Sequence, residues 1–416
     1  MRILIYGLNF APELTGIGKY SGEMAIWLSN RGHDVRVITA PPYYPSWSIK
    51  AGYRSSTWVK ENLEGIKIWR CPLWVPSHPS GVKRLIHLAS FAVGSIPIVF
   101  MQIFWRPHVV VTIEPPLFIA PAGLFLAKIC RSLSILHIQD YEVDAAFDLG
   151  ILKGQWLKKW VLTFEGFIMR HFDLVSTISN KMLMKALGKK VLPERLHLLP
   201  NWVDLSPFNN IDTDQARKEY CELLNIPVDS IIALYSGNMG TKQGLEILSD
   251  VAKKFAMKVE SITPVYFIFC GDGAGKSLLI DQCKDLQNVK FLDLQPAEML
   301  PKFLSMVDIH LLPQRLNVAD LVMPSKVTGM LASGLPILAC AKSGTELANL
   351  LDGRGIIVEP ENSTALFDAL KFLMDNQILR KKLGISGRIY AESNLSIDTI
   401  LLNFEAKIKK MIGMVD

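Results

Sequence analysis

The chain has little that would tie it to disulfide or metal chemistry. Its six cysteines (Cys71, Cys130, Cys221, Cys270, Cys283 and Cys340) are scattered, with no C-x-x-C pair and no histidines at ligand spacing. That pattern fits a reducing compartment and no structural metal. A basic lead followed by an apolar stretch and a cleavage site is also missing, so export is not expected. Lysine and arginine are spread out with no recognition motif beside them, which sets nucleic acid aside as a partner. Two phosphate-loop signatures fail by spacing. In "PELTGIGKYSGEMA", which follows the apolar run "RILIYGL", Gly16 and Gly18 are followed by Ser21 where G-x-G-x-x-G needs its third glycine. Gly18-Lys19 is followed by Tyr20, which supplies no small hydroxyl for a Walker loop. In "CGDGAGKS", Gly275-Lys276-Ser277 would need glycine where Cys270 stands. What remains at Gly16 and Gly18 is a loop whose backbone can come close to a ligand as a helix opens.

What is present is enough for a large core. The chain has 416 residues, 50% of them hydrophobic, which suits two domains. The net charge of +6 hides an asymmetry: residues 1–200 carry 23 Lys/Arg against 13 Asp/Glu, and residues 201–416 carry 22 against 26. A basic first half attracts anionic lipid or a phosphorylated substrate. That half alternates strand-like runs ("RILIYGL", "DVRVITA", "HVVVTI", "SILHIQ", "LVSTIS") with helical stretches, the signature of a parallel sheet covered by helices. Around "LPNWVDLSPFNNIDTDQ" the composition turns polar, marking a linker. The alternation then restarts with "SIIALYSG", "PVYFIFCG", "VKFLDL", "DIHLLP", "PILAC" and "GIIVE". The expected class is α/β, two Rossmann-like domains over residues 1–205 and 206–395. In the final 396–416 stretch, Ile400, Leu401, Phe404, Ile408, Met411 and Ile412 recur at helical period, predicting a terminal helix that packs back toward the first domain.

Two segments of the basic half stand out. Leu85 to Trp105 is 21 residues without a fixed charge, long enough to span a bilayer. It holds Gly94 and Pro97, and a core strand that needs the N-terminal sheet follows at once. A partly buried domain helix and a membrane-dipping surface are therefore both preferred to a span. In "LKGQWLKKWVLTFEGFIMRHF", Trp156, Trp160, Phe164 and Phe167 recur at helical spacing among Lys153, Lys158, Lys159 and Arg170. Tryptophan with lysine suits a lipid interface, and an ordinary amphipathic helix explains the pattern equally well.

Read in order, "FAPELTGIGKY", "LPNWVD", "YSGNMGTKQGLEIL", "FCGDGAGKSLLI" and "MPSKVTGMLASGLPILAC" resemble the retaining nucleotide-sugar glycosyltransferases of GT-B fold, family four, over essentially the whole chain. Within that family the chain resembles the colanic acid biosynthesis enzymes of enteric bacteria. The resemblance implies two Rossmann-like domains facing each other across a cleft, with the nucleotide-sugar donor held mostly by the second. It implies no metal cofactor, so cations and helix amides must stabilise the departing diphosphate. Lys242 in "GTKQG" matches the family's phosphate-binding lysine. Lys326 and Ser325 stand where a helix should begin, with Pro324 in its first turn. Gly16 and Gly18 would let the first domain approach the donor phosphate and the acceptor. In "HIQDYEVDAAFDLG" the family commonly has a His-Asp pair; here Gln139 precedes Asp140, and His137 lies two residues upstream. Either Gln139 replaces the family histidine or His137 contributes, and Gln139 is favoured. Asp140 would contact a sugar hydroxyl, with Glu142 and Asp144 as substitutes.

The resemblance also has gaps. Leu321 and Gly329 stand where the family usually shows two glutamates, leaving Asp320 and Thr328 as the nearest polar groups. Asn238 stands where many relatives have an arginine. The implied reaction is front-face displacement, in which the departing diphosphate helps to remove the acceptor proton. The only D-x-D, Asp212 to Asp214, falls in the linker, away from the place a metal-dependent transferase needs it. The implied acceptor is a polyprenyl-diphosphate-linked sugar at the cytoplasmic face of the inner membrane, and fucose from its guanosine diphosphate is the expected donor. An epimerase or hydrolase of the same fold, and a non-catalytic membrane-associated assembly partner, are the alternatives.

Overall fold

The computed structural model describes residues 1–13, 16–77, 81–141, 155–240, 243–257, 263–316 and 324–414. The chain divides into two units, Met1–Pro200 with Leu401–Asp416, and Asn201–Ile400.

The first unit holds strands β1 (Arg2–Tyr6), β2 (Asp34–Thr39), β3 (Val59–Leu63), β4 (Ile66–Arg70), β5 (Val109–Glu114), β6 (Leu133–Ile138), β7 (Leu174–Thr177) and β8 (Leu196–Leu198). They form one sheet in the order β3-β4-β2-β1-β5-β6-β7-β8. Every neighbouring pair is parallel except β3 with β4, an antiparallel hairpin at the edge. β5, "VVVTIE", is buried at every position, as a strand covered on both faces must be. The chain runs outward from β1 through β2 to β4 and then crosses back to β5, so the strand order reverses between β1 and β5. In open α/β sheets, the carboxyl ends of the strands at such a reversal form the ligand crevice.

The crossover includes the 25-residue apolar helix Gly81–Trp105. By length and composition it is able to cross a membrane, yet one of its faces is committed to the sheet. His87, Leu88, Phe91, Ser95, Val99 and Gln102 are buried. Tyr6 and Ser95 share a hydrogen bond of 2.6 Å between their hydroxyls, and Arg36 donates to Gln102 Oε1 at 3.1 Å, tying the helix to β1 and β2. The helix is a layer of the domain. Its opposite face, from Val82 through Ile86, Val93, Ile96 and Phe100 to Phe104, is exposed, Phe104 at 90%.

The second unit holds β9 (Ile231–Ser236), β10 (Val265–Cys270), β11 (Val289–Leu292), β12 (Ile309–Leu312), β13 (Ile337–Cys340) and β14 (Gly355–Val358). These are the six segments that the alternation after residue 215 marks as strands. They pair in parallel in the order β11-β10-β9-β12-β13-β14. The reversal here lies between β9 and β12. Helices Glu246–Met257 and Ser363–Asp375 cover this sheet through a cluster that includes Leu248, Val251, Phe267, Leu366 and Leu370.

The last helix, Ile397–Met411, buries Leu401, Phe404 and Ile408, and from Leu401 onward its residues group with the first unit. Its anchor is a charge that apolar periodicity does not reveal. Glu405 is buried, with Arg31 at 3.1 Å, His33 Nε2 at 2.9 Å and Lys409 at 3.4 Å. Burial raises the Glu405 pKa, but the His33 hydrogen bond and the Arg31 charge outweigh it and hold the carboxyl below the usual range. Burial also lowers the His33 pKa. A lowered carboxylate contributes stability above its unfolded pKa and loses it as pH falls through the folded one. A histidine that resists protonation loses stability in the same direction. Glu405→Ala leaves His33 and Arg31 without their partner and is expected to cost about 2 kcal/mol, the scale of hydrogen bonds to a charged group. Chemical denaturation at pH 7 reads this as a lower midpoint, and the gap from wild type narrows toward acid pH.

Candidate functional site

In the first unit, the turn after β1 is built around one carboxylate. Glu13 is buried, and its Oε1 accepts the backbone N–H groups of Tyr43 and Tyr44, both at 3.0 Å, while Oε2 accepts from Asn9 Nδ2 at 2.9 Å. Burial pushes its carboxyl pKa up against these hydrogen bonds and the nearby Arg70 charge. Arg70, itself buried, donates to the Ala11 carbonyl at 2.6 Å, to the Ala40 carbonyl at 3.0 Å and to Glu61 at 2.6 Å. The loops after β1 and β2 are therefore one assembly. Gly18 belongs to it: a Cβ there would lie 2.6 Å from both Cβ and Oε2 of Glu13. The space a side chain would need is taken by Glu13. Gly16 starts the helix Gly16–Asn30 with φ +59 and nothing within 4 Å of a would-be Cβ, so that edge of the loop is open. Glu13 was not singled out by the motif; the signal was an acid set between a proline and a glycine-rich turn.

β6 ends in a second polar group. His137 and Gln139 are both buried and joined through their Nε2 atoms at 2.9 Å, and His137 Nδ1 lies 2.9 Å from Ser176 Oγ. Burial lowers the His137 pKa to about 3, so the ring is neutral. A neutral ring has one donor and one acceptor. The Gln139 amide donates to Nε2, Nδ1–H donates to Ser176, and the Gln139 carbonyl oxygen is turned away from the histidine. The two residues weighed as alternatives thus form one relay, in which His137 sets the Gln139 amide. Asp140 follows, half-buried. Glu142 and Asp144 lie outside the described residues.

In the second unit the expected residues gather at the ends of β9 and β12. Lys326 extends toward β9 with its Nζ 4.0 Å from the centre of the Tyr235 ring. That ring is fixed by a 2.6 Å hydrogen bond from its hydroxyl to the Asn238 carbonyl. The Lys326 stem passes over Gly237, where a Cβ would lie 3.3 Å from Cδ. The amino group is buried and has no hydrogen-bond partner among the described residues. An aromatic face offers a cation a modest attraction that replaces only part of its hydration. Burial accordingly lowers the Lys326 pKa to about 7. A buried, half-titrated amine with no anion beside it among the described residues is suited to receive one.

The backbone around it is shaped by close approach. Gly271 has φ +150, and a methyl there would overlap the Gly237 carbonyl oxygen, so the loops after β9 and β10 interlock. Asn238 is exposed on the first of them. Helix Val327–Ala332 starts one residue after Lys326 and has only six residues, so Pro324 precedes the helix instead of opening it. Its dipole is correspondingly small. Ser325 is exposed beside Lys326, and the Thr328 hydroxyl is buried and donates to the Ser325 carbonyl at 3.0 Å. Gly329 packs toward Leu304. Lys242, Asp320 and Leu321 lie outside the described residues. The first unit thus carries Gly16, Gly18, Gln139 and Asp140, and the second carries Asn238, Ser325, Lys326 and Thr328.

The chain as a whole has known relatives. Residues 15–202 match the glycosyl transferase 4-like domain, and residues 217–389 match the glycosyl transferases group 1 family. The putative colanic acid biosynthesis glycosyl transferase WcaI of Escherichia coli is 41% identical over 97% of this chain and 98% of its own length. The putative teichuronic acid biosynthesis glycosyltransferase TuaC of Bacillus subtilis is 22% identical over 92% of each chain. Among solved structures, sucrose-phosphate synthase from Thermosynechococcus elongatus superimposes with a TM-score of 0.74 at 16% identity, covering 100% of both chains. Anabaena HepE in complex with UDP gives 0.71 at 13% identity, over 99% of this chain and 100% of its own. With both halves matched in order and a relative at 41% identity end to end, the chain belongs to the family-four glycosyltransferases of GT-B fold.

Proposed function

We propose that this glycosyltransferase moves a sugar, with retention of configuration, from a nucleotide-sugar donor to a lipid diphosphate-linked saccharide during assembly of a colanic acid-like exopolysaccharide. The observation that carries the reading is the buried amino group of Lys326 at the strand reversal of the second unit, which has no hydrogen-bond partner among the described residues. A leaving nucleoside diphosphate supplies the anion that this group lacks. The end-to-end likeness to the colanic acid enzyme supports the pathway, and the UDP complex of HepE supports a nucleotide at this fold.

In this mechanism the protein contributes positioning and charge. Lys326, with Lys242, Asn238 and Ser325, receives the diphosphate as the glycosidic bond breaks, and Thr328 braces the turn that carries Lys326. The departing phosphate oxygen takes the acceptor proton, so no separate base and no metal is needed. On the first unit, Gln139 and Asp140 hold the sugar hydroxyls, with the Gln139 amide set by His137. Gly16 and Gly18 shape the loop that approaches donor and acceptor, and Glu13 holds it in place. Fucose from its guanosine diphosphate is the donor we favour.

The acceptor's lipid places the protein at the cytoplasmic face of the inner membrane. The exposed face of helix Gly81–Trp105 continues onto helix Ala120–Cys130, where Phe125 meets Phe100 at 5.7 Å between ring centres. Between Gly81 and Arg131 stand Lys83, Arg84, Arg106, Lys128 and Arg131, against the single acid Glu114, which is buried. A second stripe, on helix Gln155–Met169, exposes Trp156 at 73% together with Trp160, Phe164 and Phe167. Apolar stripes rimmed by cations suit an anionic bilayer surface.

Nucleoside diphosphate release from a panel of nucleotide sugars, with and without polyprenyl-diphosphate-linked glucose in detergent, tests the reaction. Release that requires the acceptor is expected; acceptor-independent release would make the protein a hydrolase, and none at all would make it a non-catalytic partner. Lys326→Met is expected to bind nucleoside diphosphate about tenfold more weakly, the loss of one charge-assisted contact. A bound diphosphate raises the lysine pKa, so wild-type binding takes up a proton and weakens from pH 6 to pH 8 relative to the variant, as calorimetry would read. Sedimentation with phosphatidylglycerol vesicles at low salt is expected to capture the wild type, and Trp156→Ala/Trp160→Ala/Phe104→Ser to remain in the supernatant.

A further inference from the structure

The sequence "CGDGAGKS" fails as a Walker loop, and Lys276 within it has so far found no role. The structure gives it one partner. Lys276 Nζ lies 2.6 Å from Asp293 Oδ1. The lysine opens helix Lys276–Cys283 after the loop that follows β10, and the aspartate is the first residue past the carboxyl end of β11. Both therefore sit on the rim at which nucleotides bind parallel sheets.

The pair is built and left open. The Asp293 backbone is held by Cys270 Sγ, 3.1 Å from its carbonyl oxygen, and by Gln295 Nε2, which donates to the same oxygen at 3.0 Å. The Asp293 side chain is 94% exposed, the Lys276 side chain only 19%. Hydrogen bonding to Lys276 keeps the Asp293 carboxyl pKa below its usual range, so the group is a carboxylate at neutral pH. Its Oδ2 has no protein partner among the described residues, and two of the three Lys276 N–H donors are likewise uncommitted. A lysine–aspartate pair of this kind presents a donor beside two acceptors.

We propose that Lys276 and Asp293 read the base of the nucleotide-sugar donor and favour guanine over uracil. Guanine presents the complementary edge: O6 accepts from the ammonium while N1–H and N2–H donate to the carboxylate. Uracil offers O4 and N3–H but then sets its O2 carbonyl against the carboxylate oxygen. β11 is two strands from β9, about 10 Å, a span that the ribose and base of a nucleoside diphosphate cover together. The inference rests on the donor reading above, since without a nucleotide there is no base to read.

Calorimetric titration of the full-length protein with GDP and UDP, repeated on Asp293→Ala and Asp293→Asn, tests it. GDP is expected to bind wild type about tenfold more tightly than UDP. Both variants should lose that preference through weaker GDP binding, with UDP unchanged or tighter. UDP binding wild type as tightly as GDP, or a GDP preference that survives in Asp293→Ala, overturns the inference and leaves the donor site standing. If neither nucleotide binds wild type, the donor reading itself falls, and this inference with it. Asp293 is exposed enough that its replacement leaves the fold intact, so a change in the ratio reports on the base.

Discussion

Each unit is built on a largely parallel sheet whose strand order reverses once, and the place of that reversal governs where chemistry can sit. A parallel sheet buries both faces, so its strands are mostly apolar and the polar groups within them, such as Thr112, His137 and His310, are buried. β5 and β9 are buried from end to end. Function is pushed to the carboxyl rim, where adjoining loops leave in opposite directions. In the first unit that rim carries Glu13 and the glycine turn; in the second it carries Tyr235, Gly237 and Lys326. The interlocked glycine loops and the carboxylate-braced turn are consequences of the same constraint, because backbone must crowd at a rim where side chains would block a ligand.

The buried charges sort by whether the protein completes them. Glu13 is satisfied by two backbone amides and Asn9, Arg70 by two carbonyls and Glu61, Glu405 by His33 and Arg31. These are structural ties, each joining segments far apart in sequence. Lys326 alone among these four has only an aromatic face among the described residues. An internal carboxylate would compete with any anionic ligand for the same amine.

Much of this was legible in the residues, and the exceptions have physical reasons. The six strands of the second unit are short apolar runs between turn signals, and all six appear where the pattern put them. The edge strand β3 escaped because its Lys60, Glu61 and Asn62 are polar and Lys60 and Asn62 exposed, so no apolar alternation announces it. The terminal helix was legible from its apolar period, but its Glu405 anchor was not, since its partners Arg31 and His33 lie more than 370 positions away. Motif order pointed to Lys326 and Gln139, while their states depend on remote neighbours: Tyr235 and Gly237 for one, Ser176 and His137 for the other. A motif names the residue; only packing determines its charge or its orientation.

The polar groups around Lys326 fit this electrostatic picture. Thr328 spends its hydroxyl on the Ser325 carbonyl, and helix Val327–Ala332 is too short to supply a strong dipole. A carboxylate beside Lys326 would hold it permanently charged and leave it half-neutralised toward a phosphate. Burial of an amine over an aromatic ring keeps the resting site only partly charged, so that an anion arriving there draws a proton from solvent onto the amine. A transferase that must bind a diphosphate through the reaction and then release it gains from such a site, because the cation strengthens as phosphate charge develops and weakens once the product has left.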